Sequence, residues 1–263
     1  MPTASGNKDQ YNEMAAEYND YAKLPMARLE AELIRRALGD CTGLTVLDLG
    51  GGSGVHARQA VKAGARRVDV VDISDAMLQI GRDIEAQSSD ESRIRWLLAD
   101  ASKPLAEQGI DAPVGEYDVA MANWVFDHAH SPEDLGGMWT NIATTLKPGG
   151  RFIGIRIHIG QPTGSTEVAT KYGCSLTEFK DIPGGIGCTA TLLTSPPFSF
   201  GATLMEDSYT LANEVPKRLG MVDFEVVPYA DASVIGEDPD FWQDYVDAPF
   251  FLVLTAKKAY GIT

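Results

Sequence analysis

The feature that most constrains the fold of this chain is a regular alternation of short apolar runs with longer segments of helical periodicity, from about residue 44 to residue 160. Such alternation is typical of βα units arranged around a mainly parallel sheet. Two further apolar runs lie near the end of the chain and are joined tightly enough to pair in antiparallel fashion. Together these runs predict seven strands, at residues 44–49, 67–73, 94–99, 117–123, 151–159, 221–229 and 250–258.

Helical segments separate most of these runs. The sequence predicts helices at residues 54–63, 75–86, 132–146, 207–219 and 239–246. Before the first strand, residues 9–38 have the apolar spacing of two amphipathic helices, which Pro25 is expected to separate because proline lacks an amide hydrogen. The predicted fold class is therefore α/β, with a Rossmann-like seven-stranded mixed sheet that is parallel except for its last strand. Helices are expected on both faces, with an N-terminal helical segment and a lid insertion after the fifth strand.

The charge balance bears on the kind of partner. The 263 residues include 37 Asp and Glu against 22 Lys and Arg, a formal net charge of −15. Because nucleic-acid binding depends on cations that neutralise phosphates, we expect a small-molecule ligand and no nucleic acid. No run approaches the roughly 20 apolar residues that span a bilayer, and no signal segment is evident, so we expect no membrane contact, a cytoplasmic location and a monomer or homodimer. Cys41, Cys174 and Cys188 form no CxxC pair and are predicted to be reduced structural thiols.

A glycine-rich break follows the first predicted strand, in the run VLDLGGGSGVHA at residues 46–57. Its four glycines are Gly50, Gly51, Gly52 and Gly54. A dinucleotide-binding fingerprint, G-x-G-x-x-G, would need a further glycine at Val55 or Ala57, and neither position has one. Asp48, near the end of the strand, would repel a pyrophosphate and suits a ligand that carries an ammonium group. The spacing therefore argues against a nicotinamide dinucleotide.

Acidic residues also follow the second and third predicted strands. Asp72 ends the run VDVVD, where a carboxylate can accept hydrogen bonds from both ribose hydroxyls of an adenosine. Asp100 follows the third strand in LLADAS. Each could cap a helix, since Asp is a favoured N-cap, but three acidic residues in register at successive strand ends favour a binding site. NAD-dependent enzymes share the Asp72 feature, so this residue alone does not discriminate between cofactors.

The spacing D-x-G-x-G-x-G from Asp48 to Gly54 resembles the first motif of class I S-adenosylmethionine-dependent methyltransferases. The run YDVAMANWVFDHAHSPEDLGGMWTNIATTLKPGGRFIGI resembles the fourth strand, its helix and the turn before the fifth strand in the small-molecule branch of that family. The segments KYGCSLTEF, VPYADA and DPDFWQDYV are similar to toxoflavin-type methyltransferases. The resemblance implies S-adenosyl-L-methionine as the cofactor and S-adenosyl-L-homocysteine as its product.

The same resemblance implies a set of cofactor-binding residues. They are Tyr11, Tyr18, Asp48, Gly50, Gly51, Gly52, Gly54, Asp72, Ile73, Met77, Asp100, Ala101, Asn123 and Trp124. Asn123 and Trp124 would lie beside the methionine part of the cofactor. Tyr11 or Tyr18, on the N-terminal helix, would close over it.

The adenosine part is expected to lie between the second and third strands. The resemblance implies that Asp72 binds the ribose and that Asp100 accepts a hydrogen bond from the adenine amino group. The amide of Ala101 would lie beside Asp100. Ile73 and Met77 are similar to family positions that pack against the adenine ring.

The predicted organisation is one methyltransferase domain over residues 1–263. It comprises an N-terminal helical cap at 1–40, a cofactor-binding core at 41–159, an acceptor lid at 160–205 and the C-terminal part of the sheet at 206–263. Residues 160–201 are rich in Gly, Pro, Ser and Thr, and a long irregular stretch inside a compact domain is usually a functional lid. Its aromatic residues suit a flat, partly apolar acceptor of the kind found in secondary metabolism.

Methyl transfer from a sulfonium needs placement above all: an acceptor in line with the breaking bond, excluded water, and removal of a proton where the acceptor has one. The candidate catalytic residues are Asp127 and His128 after the fourth strand and His158 at the end of the fifth, because open α/β sheets bind ligands at these ends. Arg156 shares a strand face with His158 and is expected beside the acceptor. His56 is expected to face solvent or to cap the first helix of the core.

The predicted function is transfer of a methyl group from S-adenosylmethionine to an O or N atom of a small metabolite. No metal is expected, because Asn123 occupies the position where catechol-type enzymes have a carboxylate. One alternative is a methyltransferase fold that binds the cofactor without transferring its methyl group, as a pericyclase or a binding protein. The other is an NAD(P)-dependent oxidoreductase.

Overall fold

The fold is described by a computed structural model for residues 21–87, 92–158 and 166–261. A seven-stranded mixed sheet forms the core, and a separate three-stranded sheet is inserted after its fifth strand. The strands of the described residues are β1 (Thr45–Leu49), β2 (Arg67–Asp72), β3 (Ile94–Leu98), β4 (Tyr117–Asn123), β5 (Leu146–Ile157), β6 (Cys174–Ile182), β7 (Gly185–Leu192), β8 (Phe198–Met205), β9 (Met221–Val226) and β10 (Phe251–Lys258).

The seven-stranded sheet has the order β3-β2-β1-β4-β5-β10-β9. Strands β1 to β5 run parallel, and β10 is antiparallel to both of its neighbours, which confirms the predicted mixed sheet. β5 begins earlier than predicted because Leu146 already pairs with Tyr117. The strand order reverses between β1 and β4, so the carboxyl ends of these strands flank a crevice, the usual ligand-binding position of an open α/β sheet.

Helices surround the sheet. In the described residues they are α1 (Pro25–Leu38), α2 (Val55–Lys62), α3 (Asp75–Ala86), α4 (Pro132–Thr145), α5 (Thr166–Lys171), α6 (Glu206–Tyr209), α7 (Glu214–Arg218), α8 (Ser233–Glu237) and α9 (Pro239–Asp247). The prediction of a single helix at residues 207–219 is wrong, because this segment forms the two short helices α6 and α7. Leu211 and Asn213 lie between them with φ angles of 57° and 56°, which a right-handed helix does not accommodate. None of these helices is long and apolar enough to cross a membrane.

The helices cover both faces of the sheet, as predicted. α1, α2 and α3 bury apolar side chains against one face, and Leu29, Leu33 and Leu78 lie in that core. α4 packs on the other face through Trp139 and Ile142. α1 begins with proline at its first position, where the missing amide hydrogen costs nothing, and ends at a glycine with positive φ. These helices fix the strand ends that carry the site.

The stretch predicted to be irregular, residues 160–201, is largely β structure in its described part. After α5, strands β6, β7 and β8 form an antiparallel meander. Alternate side chains such as Leu176, Ala190 and Ala202 are buried, but many of these are small and the residues between them are Gly, Ser and Thr, so the period of two is weak. In β8, the Thr203 hydroxyl donates to the Ala129 carbonyl at 2.6 Å, which fixes the meander over the turn that follows β4.

Candidate functional site

A cleft opens at the carboxyl ends of β1, β2, β3 and β4, with a volume of about 1110 Å³ that includes its open mouth. Eleven of the predicted cofactor-binding residues line it: Asp48, Gly50, Gly51, Gly52, Asp72, Ile73, Met77, Asp100, Ala101, Asn123 and Trp124. Gly54 does not line the cleft, and Tyr11 and Tyr18 lie outside the described residues. The chain fold therefore brings residues from four strand ends to one cavity.

The glycine loop between β1 and α2 is shaped by its backbone and by its packing. Gly50, Gly52 and Gly54 have φ angles of 71°, 55° and 78°, a region that residues with a Cβ rarely adopt. A Cβ on Gly50 would lie 2.5 Å from the Cβ of Val125, and one on Gly54 would lie 2.5 Å from the Trp96 ring. At Gly52 a Cβ would point toward the cleft, 3.1 Å from the terminal carbon of Met77. Gly52 is thus the glycine at which a side chain would reduce the space in the cleft most directly.

Asp72 supports the glycine loop from the end of β2. One carboxylate oxygen accepts a hydrogen bond from the Gly52 amide at 2.9 Å, and the other accepts from the Ser74 amide at 2.8 Å. Burial raises the pKa of this carboxyl, and the two amides oppose that effect in part. Asp72 therefore links β2 to the loop before any ligand is considered.

The turn after β3 is held by its own side chains. Asp100 Oδ1 accepts from the amide and the hydroxyl of Ser102, at 2.8 and 2.7 Å. The Ala101 carbonyl accepts from Asn141 Nδ2 at 2.9 Å. On the opposite side of the cleft, Ser74 caps α3 by accepting from the Met77 amide, which places Met77 at the cavity wall. The cleft thus has rigid walls at this end.

Two polar side chains of the cleft lack partners. Asp48 is 1% exposed and Asn123 is 7% exposed, and neither side chain has a hydrogen-bond partner within the part of the chain that the structure describes. Burial raises the pKa of Asp48 to about 6, with the neighbouring charge of His56 opposing this shift. Buried polar groups without partners are costly, so both side chains are poised to bind a ligand in the cleft.

Glu30 of α1 joins three residues around the cleft. Its carboxylate accepts from Trp124 Nε1 at 2.9 Å and from the Tyr21 hydroxyl, and it pairs with His56 Nε2 at 2.8 Å. Trp124 has a φ angle of 65°, a strained value for a bulky residue, and this hydrogen bond helps to hold it. Glu30 was not predicted as a site residue. The signal was available, because Glu30 lies within the apolar stripe of α1, four residues after Met26.

The prediction that His56 faces solvent or caps a helix is wrong. His56 is buried, between Glu30 and the oxygen of Gln59, which lies 3.0 Å from its Nδ1. Burial lowers the pKa of this imidazole, but the hydrogen bond to Glu30 and the charges of Glu30 and Asp48 outweigh burial and raise it. His56 is therefore a buried cation-forming group behind the glycine loop. Sequence periodicity gave no sign of it, because a histidine after a glycine turn is more often exposed.

Further residues that line the cleft are not among the predicted site residues. Besides Tyr21, Glu30 and His56, they are Ser53, Val55, Ser102, Val125, His130, Asp134 and Met138. Most are small or apolar and adjoin a predicted residue, so no chemical pattern distinguished them. Tyr21 is the exception, since it ends the tyrosine-rich run in which Tyr11 and Tyr18 were chosen.

A second cavity, which we call the chamber, lies between the ends of β4 and β5 and the meander. Its volume is about 580 Å³. It is lined by Tyr21, Met26, Trp124, Asp127, His128, Ile157, Cys174, Leu176, Ala190, Leu192, Phe200, Ala202 and Phe250. Tyr21, Trp124 and His128 line the cleft as well, so the cleft and the chamber meet at these three side chains.

Of the predicted catalytic residues, Asp127 and His128 reach the chamber. Burial raises the pKa of Asp127 well above its ordinary value, although the charge of Arg156 and the Ile157 amide oppose this. Burial and the charge of His130 lower the pKa of His128 to about 4. Burial therefore shifts Asp127 toward its carboxylic acid form and keeps His128 a neutral imidazole at neutral pH.

His158 and Arg156 are not brought together beside the chamber. His158 lines neither cavity, and its amide donates to the Phe250 carbonyl at 2.8 Å. Arg156 is buried on the other face of the sheet, where its guanidinium lies 5.0 Å from the Trp139 ring and donates to Asn213 Oδ1 at 2.6 Å. The expectation for Arg156 fails because side chains alternate along β5: Ile157 faces the chamber, so Arg156 faces the aromatic core on the opposite side of the sheet. Within the described ranges, no three His, Cys, Asp or Glu side chains come together in a group that could hold a metal ion.

Comparison with known proteins finds a family model that matches part of the core. Residues 46–150 match the family described as the methyltransferase domain. A demethylmenaquinone methyltransferase of Tropheryma whipplei is 29% identical over 150 residues, which is 56% of this chain and 56% of that protein. The chain thus spans about half the length of this curated relative.

Solved structures resemble nearly the whole chain. The 1,6-didemethyltoxoflavin-N1-methyltransferase of Burkholderia thailandensis, solved with 1,6-didemethyltoxoflavin and S-adenosylhomocysteine, has a TM-score of 0.59 at 18% identity, over 97% of this chain and 88% of that one. The 4+2 cyclase SpnF has a TM-score of 0.62 at 16% identity, over 99% and 97% of the two chains. These likenesses confirm the predicted Rossmann-like fold.

Proposed function

We propose that this chain, whose residues 46–150 match the methyltransferase-domain family, transfers a methyl group from S-adenosyl-L-methionine to an O or N atom of a small metabolite. The transfer is a direct in-line displacement without a metal, and S-adenosyl-L-homocysteine is the product. The observation that carries this proposal is that a cleft lined by several acidic and amide side chains meets a more apolar chamber at Tyr21, Trp124 and His128. A cofactor and an acceptor in these two cavities would come into contact there.

The cleft residues suit the parts of this cofactor. In the proposal, Asp72 accepts from the ribose hydroxyls and Asp100 accepts from the adenine amino group, between Ile73 and Met77. Asp48 and Asn123 bind the methionine end, where an ammonium group and a carboxylate need polar partners. The side-chain polar atoms of Asp48 and Asn123 have no hydrogen-bond partners among the described residues, which supports this assignment. A ligand with an ammonium group would offset the free-energy cost of burying them.

The chamber residues place and desolvate the acceptor. The bound cofactor supplies a methyl group that is already electrophilic. His128 faces the acceptor as a neutral imidazole, since its pKa is lowered to about 4, and it accepts a hydrogen bond from the nucleophilic O–H or N–H group. Such a weak base orients the nucleophile more than it removes a proton, so we assign His128 a positioning contact and propose no step for His158.

The chamber also bears on the acceptor class. Its apolar walls, formed by the meander and the ends of β4 and β5, suit a flat secondary metabolite. The test is to incubate the purified chain with S-adenosylmethionine and fractionated small metabolites and to quantify S-adenosylhomocysteine. We expect S-adenosylhomocysteine to form only with the fraction that contains the acceptor, and only when Asp72 is intact. Equal formation by wild type and Asp72→Ala would contradict the proposed site.

A second function stays open for the same cavities. A methyltransferase-fold protein can bind the cofactor without transferring its methyl group, and the likeness to the cyclase SpnF favours this alternative over others. The weak basicity of His128 is compatible with it. Tight binding of S-adenosylmethionine, with metabolite conversion but no S-adenosylhomocysteine, would support this second function.

A further inference from the structure

The walls of the chamber are unusual in their lack of charge. Of the described residues that line it, none is Lys, Arg or Glu. Aromatic rings from Tyr21, Trp124, Phe200 and Phe250 form much of the wall, and alanines at the meander leave the space between them. The polar groups able to contact an acceptor are concentrated at Asp127 and His128, beside the opening into the cleft.

Asp127 has the properties of a ligand-binding group. Its side chain is 5% exposed, and its Oδ2 atom has no hydrogen-bond partner among the described residues. Arg156, whose charge acts on Asp127, does not line the chamber: its Nη1 atom donates to Asn213, and its guanidinium lies against the rings of Phe126 and Trp139. A buried carboxyl without a hydrogen-bond partner for one oxygen is costly unless a ligand supplies one.

Burial shifts Asp127, His128 and two cysteine thiols near the chamber toward their neutral forms. Burial raises the pKa of Asp127 well above its ordinary value, and burial lowers that of His128 to about 4. The thiols of Cys174 and Cys188 have pKa values raised to about 12, chiefly by burial. An ionised acceptor would therefore enter an apolar space without a countercharge already in place.

We propose that the acceptor binds as an uncharged, flat ring compound whose carbonyl oxygen or ring nitrogen accepts a hydrogen bond from the Asp127 carboxyl. This inference rests on the proposed function, since it assigns the substrate class of the same site. Asp127 acts as the donor and His128 as the acceptor, so the two side chains form hydrogen bonds with neighbouring polar atoms on one edge of the ring. The aromatic walls bind its faces.

Charged acceptors are disfavoured for different reasons. An anion would meet no cation on the described walls and would repel Asp127 if that carboxyl ionised. A cation gains from the aromatic rings and from an ionised Asp127, but both charges must then be moved out of water together. The apolar walls of the chamber and the shift of Asp127 and His128 toward their uncharged forms favour a neutral ligand.

The test uses the full chain saturated with S-adenosylhomocysteine and three probes of matched shape. The probes are naphthalene-2-carboxamide, naphthalene-2-carboxylate and naphthalen-2-ylmethylammonium, and calorimetry measures their dissociation constants. We expect the carboxamide to bind at least about tenfold more tightly than either charged probe. Equal or tighter binding of the carboxylate or the ammonium, or binding of none of the three, would overturn the proposal.

Two variants of Asp127 separate its role from that of the apolar walls. Asp127→Asn keeps a neutral donor and should bind the carboxamide about as tightly as the wild type, whereas Asp127→Leu should bind it several-fold more weakly. Unchanged affinity for S-adenosylhomocysteine verifies that each variant is folded. Wild-type affinity of Asp127→Leu for the carboxamide would overturn the role of Asp127. Since these readouts need no methyl transfer, a chain that prefers the carboxamide yet forms no S-adenosylhomocysteine refutes the proposed function alone.

Discussion

Burial gives the Asp48 carboxyl an electrostatic cost in the cleft. Its ordinary pKa of 3.8 rises to about 6 in the folded chain, so folding favours the protonated form. The stability that this proton contributes is complete below about pH 3.8 and is lost as the pH rises through about 6. At pH 8 the buried carboxylate therefore costs up to about 3 kcal/mol, an upper limit that neighbouring charges reduce.

Replacement of Asp48 by its neutral isostere should remove this pH dependence. We expect unliganded Asp48→Asn to have a higher free energy of unfolding than the wild type at pH 8, with the difference shrinking as the pH falls toward about 4. Urea unfolding across this range measures the effect. A difference that is constant with pH, or a variant less stable at pH 8, would show that Asp48 is not a buried carboxylate of this kind.

Asp72 should matter for the cofactor far more than its exposed neighbour. Asp72→Ala removes the proposed ribose contacts and the hydrogen bonds that Asp72 accepts from the Gly52 and Ser74 amides. We expect the affinity for S-adenosylmethionine to fall at least tenfold, the effect of about 1.5 to 3 kcal/mol of charged hydrogen bonding. Titration calorimetry gives the value. Asp75→Ala, one helix position into α3 and with an exposed side chain, is the control and should bind as the wild type does.

The effect of replacing Gly52 by alanine has two parts, one from backbone strain and one from the loss of space in the cleft. Gly52 and Gly115 both have positive φ angles, 55° and 66°, but a Cβ on Gly115 would meet nothing within 4 Å. Alanine at either position should lower stability by about 1 to 2 kcal/mol through backbone strain. Only Gly52→Ala should also lose affinity for S-adenosylmethionine, because its methyl group would occupy the cleft. Thermal unfolding and calorimetry on both variants decide this, and equal affinities would remove Gly52 from the site.

Among the structural elements, the meander is the one that gives the chain its second cavity. Ala190 of β7 pairs with Leu176 of β6, and both side chains line the chamber. The neighbouring pair of Thr189 and Thr177 does not line it. The strand period of two therefore separates a ligand-facing side of the meander from the other side.

A bulky residue on the ligand-facing side should block the acceptor while sparing the cofactor. Ala190→Phe places a ring in the chamber, and we expect at least about tenfold weaker acceptor binding with unchanged affinity for S-adenosylhomocysteine. Thr177→Phe, exposed on β6, is the matched control and should change neither. The comparison is made by calorimetry with naphthalene-2-carboxamide. An equal loss in both variants would indicate a general disturbance of the meander instead of a filled chamber.

The elements differ in how well the sequence predicts them, and the reasons are physical. β1, β2 and β4 are mostly apolar runs that end next to glycine or with a polar residue, so their burial on both faces is indicated by local sequence. The meander buries one side only and uses alanine and cysteine there, residues whose burial depends on what packs against them. The break between α6 and α7 depends on positive φ angles at Leu211 and Asn213, which the identities of these two residues do not predict.

At the scale of the whole molecule, the predictable part of the site is the part built from strand ends. Asp48, Asp72 and Asp100 come together because parallel strands place their carboxyl ends at one edge. Glu30 and His56 come from packing between α1 and α2, and their contact is set by tertiary structure that periodicity alone does not give. The chamber likewise depends on a sheet inserted far along the chain. Sequence patterns thus predict the cofactor side of the site better than the acceptor side.

The central claim is that a methyl group crosses from the cleft to a small molecule in the chamber. The most direct measurement follows an isotopically labelled methyl group from S-adenosylmethionine by mass spectrometry, with the purified chain and a mixture of metabolites and macromolecules. We expect the label to appear on a small metabolite, with one S-adenosylhomocysteine formed for each methyl group transferred. Label found on protein or nucleic acid, or label that never leaves the tightly bound cofactor, would contradict it.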